Sequence, residues 1–474
     1  MKLSYLLVFL LIVNQIHSQT FEEIDQGVFI GTNYPSIAIA NIDAELNNTQ
    51  EIIITGNGNS GWRAHLYSQD ANGNYASIEG TFIDAITDQS KVIFGDIDGD
   101  GDQDLLVTSE ETKLYINDGF GDFNEVTTSI ANVTQGAIAF FDIDNDNDLD
   151  LLVTGYDQDT SNDLVSVLYT NDGNGNFIEV TGTLFENVTN STISYADIDN
   201  DNDVDILITG TKSNNEKTTK LYANDGSGVF SEVVGTSFEP VAQGSTAFAD
   251  IDNDGDQDVY ITGKDWQNQP VGKVYMNNGA GTFSENTNTG LTAVQDSSIA
   301  FADVDGDTDL DVMITGLGTG GLYINDGSGS FTEVAGLPFD EFMRSAVAFK
   351  DFDNDNDLDL IIAGYSINAS TFRTKLYNNT TVLGITEFTE VVESIIYPNP
   401  VQDSFTLQLS EEYLNNSTSI EFNVYDSIGR KVLSILDFSS ENNRIDIQEL
   451  NSGLYFFELF TSNKRISSGK LIKK

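Results

Sequence analysis

Asp96-Ile-Asp98-Gly-Asp100-Gly-Asp102-Gln-Asp104 places five carboxylates at alternating positions within nine residues. The same ladder recurs as Asp142, Asp144, Asp146, Asp148 and Asp150, and again as Asp197, Asp199, Asp201, Asp203 and Asp205. Further copies are Asp250, Asp252, Asp254, Asp256 and Asp258, then Asp303, Asp305, Asp307, Asp309 and Asp311. The last is Asp351, Asp353, Asp355, Asp357 and Asp359. At neutral pH a carboxylate of ordinary pKa is ionised, so five of them this close repel one another. A hard cation that takes six to eight oxygen ligands removes the repulsion. The chemistry expected is therefore Ca²⁺ binding, at about six sites. Side-chain oxygens would come from ladder positions 1, 3, 5 and 9, and a backbone carbonyl from position 7; the first ladder thus offers Asp96, Asp98, Asp100, Asp104 and Asp102.

The pattern also says what the loop is not. A preference of Asp and Asn for turns accounts for one or two acids per turn, not five. An EF-hand needs Glu at position 12 and flanking helices, whereas Val107 and Val153 stand there and apolar strand-like runs follow. Mg²⁺ prefers fewer protein ligands and a tight octahedron. Position 2 is always Ile, Val or Phe, an anchor into a core, and position 6 is Gly or Asn in five of the six ladders, where a sharp turn takes positive φ.

The ladders begin 46, 55, 53, 53 and 48 residues apart. A degenerate copy precedes them, Asn41-Ile-Asp43 followed by Glu51-Ile-Ile-Ile-Thr-Gly56. A second mark keeps the same period: Leu-Tyr or Val-Tyr ends at Tyr67, Tyr115, Tyr169, Tyr222, Tyr275, Tyr323 and Tyr377. Five of these run into Asn-Asp/Asn-Gly-x-Gly-x-Phe, a hairpin signal that lacks the Lys and following helix of a phosphate loop. Each period carries strand signals before the ladder, after it, up to the Tyr, and at Phe-x-Glu-Val. Four antiparallel strands in each of seven periods predict an all-β, seven-bladed β-propeller over residues 19–392. Phe21–Ile24 and 388–391 both carry the fourth-strand pattern and compete to close the ring.

These motifs resemble the FG-GAP/VCBS-type repeat over about residues 21–392. The resemblance implies that the ladders bind Ca²⁺ structurally, between the first two strands of a blade.

The ends of the chain read differently. Residues 1–18 have a basic start, an apolar run and Ser18 before the expected cut, as a secretory signal peptide does. Residues 393–474 hold short alternating strands and eight of the 21 basic residues, predicting a small C-terminal β-sandwich. Tyr397-Pro-Asn-Pro400, Leu450-Asn-Ser-Gly-Leu-Tyr455 and the Gly-Lys-Leu-Ile-Lys-Lys tail resemble the C-terminal sorting domain of type IX (Por) secretion cargo. That resemblance implies an Ig-like domain, engagement of the type IX machinery, and release or attachment at the outer-membrane surface.

Composition narrows the function. The net charge is −54, and the 12 positive charges of six dications would leave −42, which disfavours nucleic acid and anionic lipid. There is no Cys, and His17 and His65 are the only histidines, so thiolate and multi-His metal chemistry are excluded. No apolar segment after the leader is long enough to span a bilayer. Ladders and Asn-Gly turns would share one propeller face, leaving the loops of variable length on the other, where binding usually sits. Those loops include 57–63 with Trp62, 156–163, 184–191, 264–270 with Trp266, and 337–344. The leading expectation is a secreted, calcium-stabilised binding or adhesion module for extracellular glycan or protein, with Trp62 and Trp266 available to stack on sugars. A polysaccharide lyase or hydrolase is the alternative, although no catalytic motif stands out.

Overall fold

A computed structural model describes residues 20–380 and 395–474, apart from 25–26, 44–48, 59–60, 71–72, 79–85, 87–88, 161–162, 319, 398, 409–419, 426–430, 436–443, 449 and 462–463. The leader and the 388–391 segment lie outside the described residues. The chain divides into two compact units, Met1–Thr381 and Val382–Lys474.

All described regular structure is β. The first unit holds seven antiparallel sheets, each a meander of neighbouring strands. Blades 1 to 6 span 33–77, 91–126, 133–179, 189–232, 246–286 and 295–333. Blade 7 takes three strands from 342–379 and its outer strand from the other end of the unit. Phe21–Ile24 pairs antiparallel with Thr371–Asn379, joining Phe21 to Asn379 and Ile24 to Leu376. Of the two rival segments, the N-terminal one therefore completes the last blade.

The physical reason for each strand shows in its burial. Second strands such as Asp150–Asp157 lie between neighbours, bury both faces and carry a continuous apolar run, here Leu151-Leu-Val153. First strands carry small residues, as Thr246, Ala247 and Ala249 in Thr246–Ala249. Fourth strands such as Phe230–Glu232 bury Phe and expose the rest, as an outer edge must.

The cores lie between sheets. Ile53 and Leu66 of blade 1 pack with Leu105 and Val107 of blade 2. The series continues around the ring until Ile361 and Leu376 of blade 7 pack with Ile52 and Tyr67 of blade 1. Seven such clusters close a circle, which makes the unit a β-propeller.

In the second unit, one sheet contains Ile395–Tyr397, Ser404–Gln408 and Arg444–Asp446. The other orders Lys431–Ile435, Ile420–Tyr425, Gly453–Thr461 and Lys464–Lys473. Phe405 and Leu407 of the first sheet share one apolar core with Phe422, Val424, Leu459 and Leu471 of the second. Among the described residues no helix is long and apolar enough to cross a membrane.

Candidate metal centres and axial pocket

Each ladder is a tight loop between the first and second strands of its blade. Its backbone wraps around the position 1 carboxylate: Gly99 and Gly101 donate their N–H groups to Asp96 at 2.9 and 3.1 Å. Asp197 accepts in the same way from Asp201 and Asn202, at 3.2 and 2.9 Å. The wrap needs positive φ at position 6, where Asn202 has φ 70° and Thr308 has φ 80°. For β-branched Thr308 that conformation is strained.

Position 9 is a bracket. The Oδ2 of Asp104 accepts from Ile97 N–H at 3.0 Å, and its Oδ1 from Asn117 N–H at 2.8 Å, tying the ladder to the third strand. Burial is the main force on these side chains. It pushes Asp104, Asp150 and Asp205 up to about 6, and Asp258, Asp311 and Asp359 up to about 7.

Position 3 is left unsatisfied. The Oδ1 atoms of Asp98, Asp144, Asp252 and Asp305 are buried and accept no hydrogen bond among the described residues. Asp351 and Asp357 each have one such oxygen in the last ladder. Buried acceptors are seldom left without a donor, and a cation meets this need where no N–H is in reach. One oxygen from each of Asp96, Asp98 and Asp104 lies within 4.8 Å of the others, and triads of this kind recur at Asp142, Asp197, Asp250 and Asp303. The donor set is all oxygen and largely anionic, so the ladders fit a hard dication and could hold one.

Position 7 faces elsewhere. The Asp203 carboxylate packs against the third-to-fourth-strand turn, where a Cβ on Gly226 would lie 2.5 Å from its Oδ2. With φ at 74°, only glycine fits that turn without strain. Asn145 of the preceding ladder donates to Asp203 at 2.8 Å, and Asn200 to Asp256 at 2.9 Å, so consecutive ladders are linked.

The side chain that ends the third strand links the blades more firmly. Asn224 Nδ2 donates to the Ile143 carbonyl of the preceding blade at 2.8 Å, and Asn117 to Ile42 at 2.8 Å. Asn171, Asn277, Asn325 and Asn379 repeat the bond. In blade 1, Gln69 reaches the Phe352 carbonyl of blade 7 at 2.6 Å and completes the circle. These latches were not singled out from sequence, although the Asn recurs after Tyr-x throughout the repeat.

The degenerate first copy keeps the scaffold of the loop. Glu51 takes the position 9 role, accepting from Ile42 N–H at 3.2 Å.

The opposite end of the first strands forms a second site. Seven non-glycine residues there, one per blade, have φ between 48° and 54°: Tyr34, Gln89, Gln135, Asn190, Gln243, Asp296 and Arg344. All seven line a central pocket of about 600 Å³, including its open mouth. Six of them sit at a break in the first strand, as where the register shifts between Gln295 and Ser298, and Gln89 precedes the first strand of blade 2. Their backbones join around the axis: Gln243 N–H donates to the Asn190 carbonyl at 3.0 Å, and Asp296 N–H to the Gln243 carbonyl at 2.8 Å. Asn190 N–H likewise donates to the Gln135 carbonyl at 2.7 Å, so these links run through blades 3 to 6. A signal was available in the Thr-Gly that ends the second strands, since glycine inside a strand marks a bulge or a close approach. A Cβ on Gly155 would lie 2.6 Å from the Thr134 carbonyl oxygen.

Trp62 is half-buried against the core between blades 1 and 2, so it covers that core. Trp266 is 74% exposed at the 264–270 turn. No contact joins the two among the described residues.

Residues 96–153, 197–261, 250–314 and 303–362 match the FG-GAP-like repeat, and residues 395–474 match the secretion system C-terminal sorting domain. The chain thus carries FG-GAP-like repeats followed by a type IX secretion sorting domain. No curated protein matches. Among solved structures, the chain is similar to a lectin from Agrocybe aegerita described as recognising non-reducing terminal N-acetylglucosamine, at 18% identity and TM-score 0.47, over 64% of this chain and 80% of that one. It is also similar to the extracellular domain of a two-component-system protein from B. thetaiotaomicron, at 9% identity and TM-score 0.47, over 96% of this chain and 57% of that one. A β-fructofuranosidase from Schwanniomyces occidentalis matches at 8% identity and TM-score 0.28, over 96% of this chain and 91% of that one.

Proposed function

We propose that the mature chain is a secreted, calcium-stabilised propeller that binds an extracellular glycan or protein and reaches the cell surface or medium by the type IX route. The observation that carries this reading is the contrast between the two faces. One face repeats the ladder in six blades, each with the same two backbone bonds to position 9. The other presents five residue types from seven blades around an axial pocket, Tyr34, Asn190, Asp296, Arg344 and three Gln, and Trp266 is exposed in the 264–270 loop. A repeated face suits a scaffold, and a varied face on a rigid scaffold suits recognition.

Asp96, Asp98, Asp100 and Asp104, with the Asp102 carbonyl, would hold Ca²⁺ in blade 2, and their counterparts would do so in blades 3 to 7. Bound Ca²⁺ would supply charge neutralisation. The chain's own part is to aim the orphaned position 3 oxygens and hold position 9 through two backbone N–H groups.

The enzyme alternative gains less support. Glycoside hydrolysis uses two carboxylates about 5–9.5 Å apart. Among the described residues lining the axial pocket, Asp296 is the only carboxylate, and Lys264 pairs with it at 3.0 Å.

A glycan array and a pull-down from extracellular material, run with the calcium-loaded propeller, test the binding role. The expected result is a saturable ligand whose affinity falls in Trp266→Ala or in axial-pocket variants. Absence of any ligand, or binding indifferent to all these substitutions, would refute it.

A further inference from the structure

The axial pocket is positive within a strongly negative chain. Lys91 and Arg344 both line it, and neither has a carboxylate partner among the described residues. Arg344 lies over the Tyr34 ring at 4.9 Å, and its buried Nε has no acceptor among the described residues. The one acid of the pocket is already neutralised: Lys264 holds both oxygens of Asp296 at 3.0 and 3.1 Å and the Gln243 Oε1 at 2.9 Å. Burial alone lowers Lys91 below the ordinary lysine value, as expected of an ammonium with no charge beside it. Between these cations stand neutral amides, Gln89, Gln135 and Asn190, which both donate and accept. Gln243 approaches the Asn190 Oδ1 with its own amide nitrogen at 3.4 Å, so the Asn190 amide group is turned to donate.

We propose that this pocket binds a hydroxylated carboxylate with the chemistry of a hexuronate. Lys91 and Arg344 take the carboxylate, and the amides of Gln89, Gln135 and Asn190 meet the hydroxyls. A guanidinium suits the two oxygens of a carboxylate, and amides that give and receive suit hydroxyls, which do the same. The ladders carry 30 of the 75 acidic residues and lie at the other end of the first strands, so their charge does not guard this entrance. The inference rests on the binding reading above and names the ligand class for it.

The test is calorimetric titration of the calcium-loaded mature chain with D-galacturonate, a galacturonate trimer, D-galactose and sulfate. Uronate binding is expected, with D-galactose and sulfate at least roughly ten-fold weaker, as loss of a charge-assisted hydrogen bond or of the hydroxyl contacts requires. Lys91→Gln and Arg344→Gln should each weaken uronate binding roughly ten-fold or more. Lys91→Gln should leave the melting temperature no lower, because that side chain has no partner to lose and its buried charge is removed. Preference for the trimer would identify a polysaccharide residue as the source, and equal affinity a free sugar acid. Equal binding of galactose or sulfate, or unchanged uronate affinity in both variants, would overturn the proposal. A different ligand that ignores both variants would overturn it while leaving the binding role intact; no ligand of any kind would remove both.

Discussion

At the scale of single residues, the ladder works through two kinds of aspartate. Position 1 accepts from backbone N–H groups, whereas in four ladders position 3 holds a buried oxygen that accepts no hydrogen bond among the described residues. Position 9 carries the pH dependence. The folded chain without metal holds Asp104, Asp150 and Asp205 at about 6 and Asp258, Asp311 and Asp359 at about 7, against an ordinary 3.8. The folded form therefore binds protons that the unfolded form has released, so metal-free stability is greatest below about pH 4 from this source and is lost as pH rises through 6 to 7. In chelator, melting temperature should rise between pH 8 and pH 5.5; in excess calcium it should fall over the same interval, because protons then compete with the ion. Scanning calorimetry at both conditions checks the sign. The Asn latches give a second prediction. Asn224→Ala leaves the buried Ile143 carbonyl unpaired and should cost about 1–3 kcal/mol in denaturant unfolding. A third concerns strain: Thr308 occupies a φ of 80° that Asn takes at the same position in blades 3, 4 and 7, so Thr308→Asn should stabilise by about 1 kcal/mol. A loss of stability would mean that the threonine side chain has a role the φ does not show. The ladder aspartates were legible because five like charges at fixed spacing have no neutral explanation. The latches were not, because an Asn at a strand end is also an ordinary hairpin residue.

At the scale of elements, the ring depends on a strand taken from the far end of its own unit. Phe21 is buried among Phe342, Leu360 and Tyr377, and its ring meets Phe339 edge-on at 5.3 Å. Glu23 is ion-paired with Lys375. Phe21→Ala should therefore cost about 3 kcal/mol, as loss of a large buried aromatic does. A cost below about 0.5 kcal/mol, the level of a surface substitution, would mean that the N-terminal strand is not what secures blade 7. Periodicity made the four strands of each blade readable, because second strands are continuously apolar and fourth strands repeat Phe-x-Glu. It could not choose between Phe21–Ile24 and 388–391, since both patterns fit one edge. The positive-φ residue beside each first strand was also hidden, because its type varies from Tyr34 to Arg344 and only its backbone is constant. The closing strand of the second unit, Lys464–Lys473, escaped notice for a related reason: Arg465, Ser467, Ser468 and Lys470 dilute the apolar alternation that marks a strand.

At the scale of the whole first unit, seven sheets, seven intersheet cores and a circle of Asn and Gln latches make stability a property of the ring. The ladders sit where each blade's first strand turns back and touch the next blade through Asn145, Asn200 and Asn253. On the proposed reading, ions in these loops would brace neighbouring blades together, and the axial pocket at the other end of the first strands would keep its geometry because of it. Each calcium site would add about 2.7 kcal/mol when the free ion stands at 100 times Kd. The measurement that bears on this most directly is the melting temperature of the mature chain at pH 7.5, in chelator and after calcium or magnesium is restored. The account predicts a large fall in chelator, full recovery with calcium and little with magnesium. A melting curve that is the same in all three conditions would contradict it.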